Sequence, residues 1–350
     1  MSKINKILGL LSLIFLLVFP FQLHSQEGEE RVGQAGAFEL LINPWARSSG
    51  LAGANTASVR GIESVYLNVA GLTGTDKTEI MFSSAAWFGD ISINSFGVAQ
   101  KVGDTGVMGI SFMSLDFGDI MITTEENPNG GVGTYSPQFM NLALSYAKKF
   151  TNRISGGFTV KLISESVANL SANGFAFDTG IHYETGSRNQ AKFGITLKNI
   201  GPGMAFNGDG DDVTLNGSNG YDQTYEIRSA EFDLPSLLNI GGSYDFLFST
   251  DHRLTVSGNF TSNSFSKDQI LFGTEYGYKT FLMLRMGYSY EKGIFNDFDS
   301  GRTTAFTGFS TGFSFEIPVS DNGSSFGLDY SFRPASPLSS VHTIGARIDL

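Results

Sequence analysis

From residue 78 to the end of the chain, apolar and polar positions alternate with a period of two. Phe175, Phe177, Thr179, Ile181 and Tyr183 interleave with Ala176, Asp178, Gly180 and His182. Ile270, Phe272, Thr274, Tyr276 and Tyr278 interleave with Leu271, Gly273, Glu275 and Gly277; Leu282, Leu284, Met286, Tyr288 and Tyr290 with Met283, Arg285, Gly287 and Ser289; and Phe326, Leu328, Tyr330 and Phe332 with Gly327, Asp329, Ser331 and Arg333. A strand sends successive side chains to opposite faces, so this period predicts strands with one apolar face. The segments are 78–86, 92–101, 106–115, 139–149, 153–164, 175–184, 191–199, 236–246, 252–262, 268–277, 280–291, 304–316, 325–333 and 339–350. Most are close to the roughly 9–11 residues that a tilted membrane-spanning strand needs.

The connections alternate as well. Those at 102–105, 150–152, 185–190, 247–251, 278–279 and 317–324 are tight, whereas 116–138, 165–174, 200–235 and 292–303 are long. Short turns on one rim and long loops on the other describe a membrane barrel, and an even strand number returns the C-terminus to the short-turn, periplasmic side. The polar face is mostly Gly and Ser with isolated charges, which suits a crowded barrel interior better than the Lys- and Glu-rich outer face of a soluble sandwich. Tyr183, Tyr276, Tyr278, Tyr288 and Tyr290 end apolar faces as an aromatic girdle does. The fold expected is all-β: a transmembrane, antiparallel, up-and-down β-barrel of about 14 strands over residues 78–350.

Residues 26–77 lack a persistent strand pattern. Leu40, Leu41, Ile42, Trp45, Val65 and Tyr66 make them too apolar for a solvated tail. They are expected to lie on the periplasmic side, before the first strand, and to form a plug folded into or under the lumen. Residues 1–25 have the order of a secretory signal peptide: Lys3 and Lys6, an apolar run over 7–21, then Ser25 before Gln26. The run is short for a membrane-spanning helix, and no later segment approaches 18 uninterrupted apolar residues. In lipid only helices and closed barrels satisfy every backbone group.

Composition narrows the function classes. Of 23 basic residues, Lys3 and Lys6 leave with the signal, so the mature chain sets 21 against 34 acids; it lacks the basic footprint of a nucleic-acid binder. With no Cys, the chain has neither disulfides, thiolate metal sites nor a lipoprotein anchor. Charged residues are 16% of the chain, against roughly 25% in soluble proteins, as expected where the outer surface need not face water.

Candidate chemistry is sparse. Gly308-Phe309-Ser310-Thr311-Gly312 fits a nucleophile elbow in letters, but that motif needs a strand–turn–helix, and here Ser310 is expected to line the lumen from within a strand. Residues 207–212 (Asn-Gly-Asp-Gly-Asp-Asp) resemble a calcium loop, yet an EF-hand needs Gly sixth and an acid twelfth, where this chain has Asp212 and Ser218. His182, His252 and His342 are read as lumen or interface residues. No enzyme, metal or cofactor is expected. Lys161, Asp178, Lys192, Lys198, Glu275, Arg285, Asp329, Arg333, Arg347 and Asp349 fall on the polar face and are expected to pair across the interior. Tyr135, Met204, Phe206 and Tyr221, in the long loops, are candidate partner contacts.

Several stretches together resemble a known family: INPWARSSGLAGA (42–54), ESVYLNVAGL (63–72), AAWFGDI (85–91), FGDIMITTEENPNGGVGTYS (117–136), LALSYAKKFTNRISGGFTVKLISE (142–165), GFAFDTGIHYETG (174–186), NIGPGMAFNGD (199–209) and PSLLNIGGSYDF (235–246). They resemble the PorV/PorQ family, relatives of FadL-type channels associated with the type IX secretion system of Bacteroidetes. The resemblance implies a fourteen-stranded barrel with an N-terminal segment in the lumen, in the cell outer membrane. The family's Asn-Pro-Ala-Gly signature reads Asn68-Val69-Ala70-Gly71 here, before Leu72; the missing Pro implies a looser turn. The resemblance also implies a non-enzymatic adaptor or shuttle, in contact with outer-membrane lipid and with the translocon, a sortase complex or cargo C-terminal signal domains. The alternative is a FadL-type channel for hydrophobic small molecules, against which stands the Gly-, Ser- and charge-rich lumen face. A purely structural barrel is a third reading.

Overall fold

The computed structural model describes residues 31–208, 212–216, 221–226, 229–297, 301–320 and 323–350. The strands are β1 (Thr78–Ala86), β2 (Ser92–Val102), β3 (Gly106–Asp116), β4 (Ile120–Met121), β5 (Thr134–Tyr135), β6 (Gln138–Lys149), β7 (Ile154–Val167), β8 (Leu170–Thr185), β9 (Ala191–Ile200), β10 (Asp212–Asn216), β11 (Asp222–Glu226), β12 (Leu237–Leu247), β13 (His252–Asn263), β14 (Gln269–Tyr278), β15 (Leu282–Glu291), β16 (Phe309–Pro318), β17 (Ser325–Arg333) and β18 (Val341–Asp349). Fourteen of them close one antiparallel barrel, each beside its chain neighbour, with β1 sealing against β18. The pairs β4–β5 and β10–β11 are small ribbons within the two longest loops.

The period-two pattern fixes which face meets lipid. Phe96, Ile110, Phe112, Leu144, Phe158, Leu162, Phe177, Ile195 and Phe272 are exposed on the outside, and a closed ladder leaves no edge unpaired in the bilayer. Tyr183, Tyr276 and Tyr278 are exposed towards the short-turn rim, as the girdle predicts.

Two connections depart from the sequence reading. The loop expected at 165–174 is a hairpin tip of two residues, because β7 and β8 run on to Val167 and Leu170 with Ala168 in the left-handed region. The ribbon projects beyond the membrane band, where Ser171 bridges Asn207 of the loop above. The strand expected from 304 begins only at Phe309. Arg302 donates to the carbonyls of Thr304, Ala305 and Phe306 and holds that stretch as a loop, and Gly308 turns at φ 89°.

The plug lies inside the barrel, not under it. The described chain starts at Arg31 on the long-loop rim, where Arg31 pairs with Asp233 at 2.9 Å and Ala35 bridges the same residue. It then passes down through the lumen to enter β1 at the short-turn rim. Short helices at Ala46–Gly50 and Ser64–Leu67 and tight 3-10 turns carry it. Trp45, Ile62, Val65 and Leu72 pack with Met81, Ala99, Val107, Ala143 and Ala147 of the wall. The small wall residues have a cause. A side chain at Gly97 would meet Ile62 at 2.5 Å, and one at Gly194 the Thr56 carbonyl at 2.6 Å. The Gly- and Ser-rich lumen face is thus the contact surface of a close-packed plug.

Residues 1–30, which include the expected signal peptide, lie outside the described residues.

Candidate functional site

The signature turn fastens the plug. Asn68 caps the 3-10 turn Val69–Gly74 by accepting from the Ala70 N–H. Its amide also donates to the carbonyls of Thr56 and of Ile181, each at 3.2 Å, and so sews two plug segments to β8. Gly71 lets the chain close on itself, since a Cβ there would stand 2.2 Å from the Val59 oxygen. Val69, Ala70 and Leu72 are buried. The turn is tight without the family's proline, which corrects the expectation of a looser one: Val69 stands at the first helical position, where an N–H has no intrahelical acceptor to lose.

Ser310 is placed as the strand reading requires. It is fully buried and donates to the Gly50 carbonyl of the plug at 3.1 Å. His182 likewise bonds the Thr56 carbonyl at 2.8 Å, whereas His252 and His342 face outward and bond Tyr276 and Tyr330. Ser310→Ala is expected to destabilise the purified barrel by about 1–2 kcal/mol, the cost of one unpaired buried acceptor; a thermal melt in detergent checks it.

Most of the predicted lumen charges do meet. Lys161 Nζ lies 2.6 Å from Asp178, Lys192 2.7 Å from Asp245, and Glu275 2.7 Å from both Arg285 and Arg253. Asp329 accepts from Ser314, to which Arg285 also donates. Arg347 pairs with Glu316 at 2.6 Å and lies 3.5 Å from Asp349. Arg333 departs from the expectation: its guanidinium stacks 3.8 Å from the Phe306 ring at the outer rim.

A bulge between β8 and β9 shapes the upper lumen. The register slips between Phe177 and Thr179, and Asn199 adopts φ 59°, so that Lys198 and Asn199 both point inward. Asn199 donates its N–H to Asp178 and accepts from Lys161 at 2.8 Å. Lys198 Nζ lies 3.8 Å from the Tyr66 ring. Bulges of this kind redirect side chains at functional sites.

Beside this network is a cavity of about 50 Å³ between plug and wall. The plug contributes Glu39, Leu40, Pro44, Trp45, Val65 and Tyr66; β2, β3, β6 and β7 contribute Ser95, Ser111, Phe112, Met113, Asn141, Ala143 and Lys161. Phe112 belongs to the lipid face, so the cavity reaches the barrel wall at β3. Glu39, Trp45 and Tyr66 were not legible as a site, because nothing local in their sequence says that a plug residue will stand opposite a particular wall residue.

Glu39 is the unusual group. It sits in the 3-10 turn Phe38–Leu41, is buried, and faces Glu165 and Asn141. Burial, reinforced by the Glu165 carboxylate, pushes its carboxyl up from 4.5 to about 8. Between those values the folded chain keeps a proton that the unfolded chain has lost, so the contribution of Glu39 to stability is present in acid and lost as pH rises from about 4.5 through about 8. The melting temperature is expected to fall across that range and the fall to be shallower in Glu39→Gln; equal slopes in the two proteins would contradict the assignment.

The candidate partner contacts divide. Met204 and Phe206 pack towards the lumen, Met204 buried in a cluster with Ala37, Leu40, Ile163 and Leu234, and Phe206 tilted against the Phe232 ring with centroids 5.9 Å apart. Met204 presents no outward surface, because an apolar residue in a loop buries itself when a plug stands below, whereas Phe206 is half-buried. Tyr135 is half-buried in β5, and Tyr221 is exposed. Residues 209–211 of the acidic loop lie outside the described residues. Among the described residues no cluster of three or more His, Asp or Glu side chains is arranged to hold a metal ion.

No protein-family model matches the sequence, and no curated protein matches it. The fold does match solved structures. CymD, a monoaromatic hydrocarbon channel, superposes with a TM-score of 0.53 at 15% identity over 89% of this chain and 97% of that one. The Pseudomonas putida toluene transporter TodX gives 0.56 at 14% identity over 88% and 97%. A Pseudomonas aeruginosa FadL homologue gives 0.51 at 12% identity over 87% and 98%. This chain is therefore a β-barrel closed by fourteen antiparallel strands around an N-terminal plug, with an apolar outer face fit for a bilayer. Its fold is FadL-like. These likenesses uphold the FadL-like part of the family resemblance and give no support to its narrower PorV/PorQ branch.

Proposed function

We propose that the protein is an outer-membrane channel for small apolar or amphipathic molecules, held closed by its plug in the conformation described. The observation that carries this reading is the lumenal cavity. Leu40, Pro44, Trp45, Val65, Tyr66 and Met113 line it with apolar and aromatic surface, plug residues form one side, and it reaches the wall at Phe112. Concave, mostly apolar sites with few polar groups are what small apolar ligands occupy. The likeness to a hydrocarbon channel and a toluene transporter supports the same reading. At about 50 Å³ the cavity is too small for a benzene-sized molecule, which needs about 150 Å³, so passage requires the plug to shift. The test is uptake of radiolabelled toluene by liposomes carrying the purified barrel. Faster entry than into protein-free liposomes is expected; equal rates would defeat the reading.

The secretion adaptor is a second reading, favoured by one feature. The loop at 117–137 holds Ile120, Met121, Ile122 and Val132 exposed, an apolar edge suited to protein contact. Purification from native membrane in mild detergent discriminates. Co-elution of a translocon barrel, a sortase or cargo with C-terminal signal domains supports the adaptor; the barrel alone with bound lipid supports the channel.

A further inference from the structure

The cavity that serves the channel reading is not purely apolar. Both carboxylate oxygens of Glu39 and the Oδ1 of Asn141 are buried without a hydrogen-bond partner. Glu39 is 2% and Asn141 8% exposed, and both line the same space. The ladder explains why they converge. Asn141 of β6 stands opposite Ile163 of β7, two residues before Glu165, so Asn141 and Glu165 are diagonal neighbours on the inner face. The plug turn at Phe38–Leu41 lowers Glu39 between them. With Glu39 ionised, three acceptor atoms from two elements thus meet beside the Glu165 carboxylate without a hydrogen-bond partner, and each buried acceptor left unpaired costs about 1–3 kcal/mol.

The cation that lines the cavity is committed elsewhere. Lys161 Nζ is held by Asp178 at 2.6 Å and Asn199 at 2.8 Å. Lys198 lies against the Tyr66 ring. An incoming carboxylate would therefore meet Glu39 and Glu165 with Lys161, the cation that lines the cavity, already paired, whereas a plain hydrocarbon would leave the acceptors unsatisfied.

We propose that this cavity takes an amphiphile with a hydrogen-bond-donating cationic head, a primary alkylammonium, seated between Glu39 and Asn141 with its chain along Trp45, Val65 and Tyr66. The proposal rests on the channel reading and adds the head group that the lumen prefers. An ammonium offers three donors and a charge, and charge-assisted bonds are the stronger kind. The head fits the space present; the alkyl chain follows as Trp45 yields.

The chain has two tryptophans, and Trp87 lies at the outer rim against Phe88 and Phe306, away from the cavity. Trp87→Phe in the full-length barrel leaves Trp45 as a single reporter. Its fluorescence is titrated with octylamine, octanol and octanoate at about pH 9, where Glu39, pushed up to about 8, is ionised and octylamine is still protonated. Octylamine is expected to bind about tenfold more tightly than octanol, the scale of one charge-assisted bond, with octanoate weakest. Glu39→Gln should bring octylamine level with octanol without changing octanol binding, and Asn141→Asp should widen the preference. Binding of octanoate or octanol as tight as octylamine would overturn the head-group proposal and leave the channel standing. A Trp45 signal indifferent to all three would overturn both.

Discussion

Replacing Gly287 by valine is expected to drive the 50–54 turn of the plug off the wall and to open the barrel. A Cβ at 287 would stand 2.3 Å from the Leu51 carbonyl carbon and 2.6 Å from the Ala52 nitrogen. Both are backbone atoms, and Ala52 and Gly53 are already committed to positive φ at 53° and 77°. On the other side, β15 is locked between the β14 and β16 ladders. Overpacking costs about 1–3 kcal/mol where side chains can move aside; here neither backbone can, so the loss should reach the top of that range or exceed it. The outcome is a lower melting temperature together with steady ion conductance across a planar bilayer, where the parent is closed. Gly258→Ala is the control, because its nearest neighbour would be an ordinary 3.9 Å away. A closed, fully stable Gly287→Val barrel would mean that the plug does not rest on β15.

Trp45→Ala should have the second largest effect. Trp45 is 2% exposed, lies in the main plug–wall cluster and also lines the cavity. Truncating a buried Trp costs about 3–5 kcal/mol, part of it for the void left behind. That void would join the existing space of about 50 Å³ and move it towards the size that admits an aromatic ring. Indole should therefore raise the melting temperature of the variant and not that of the parent, as expected when a ligand binds only the folded state. Loss of stability without rescue by indole would place Trp45 in the packing and take it out of the ligand path.

The sequence determined the barrel. Period-two alternation follows from strand geometry and needs no tertiary knowledge, so all fourteen barrel strands were legible with most ends within a few residues. The exceptions arose where distant contacts decide. The β7–β8 tip is extended because Ser171 finds Asn207, and 304–308 is a loop because Arg302 gathers its carbonyls. Lumen charges were legible by face, since Lys161, Asp178, Glu275, Arg285 and Asp329 had to point inward. Their partners were legible only as opposite signs, except Lys198 and Arg333, whose partners proved to be rings.

Tertiary structure alone decided the site. Glu39 meets Glu165 across 126 positions of sequence, Trp45 meets the wall of β3, and Met204 turns down onto Leu40. The same distance hid the meaning of the lumenal glycines. In sequence they read as a polar, crowded interior; in the fold Gly194, Gly273, Gly287 and Gly312 mark where the backbone of the plug comes within van der Waals reach of the wall. Strand periodicity is a local property of one chain segment. The path of a plug through a lumen is a packing solution among many segments, and no local pattern encodes it.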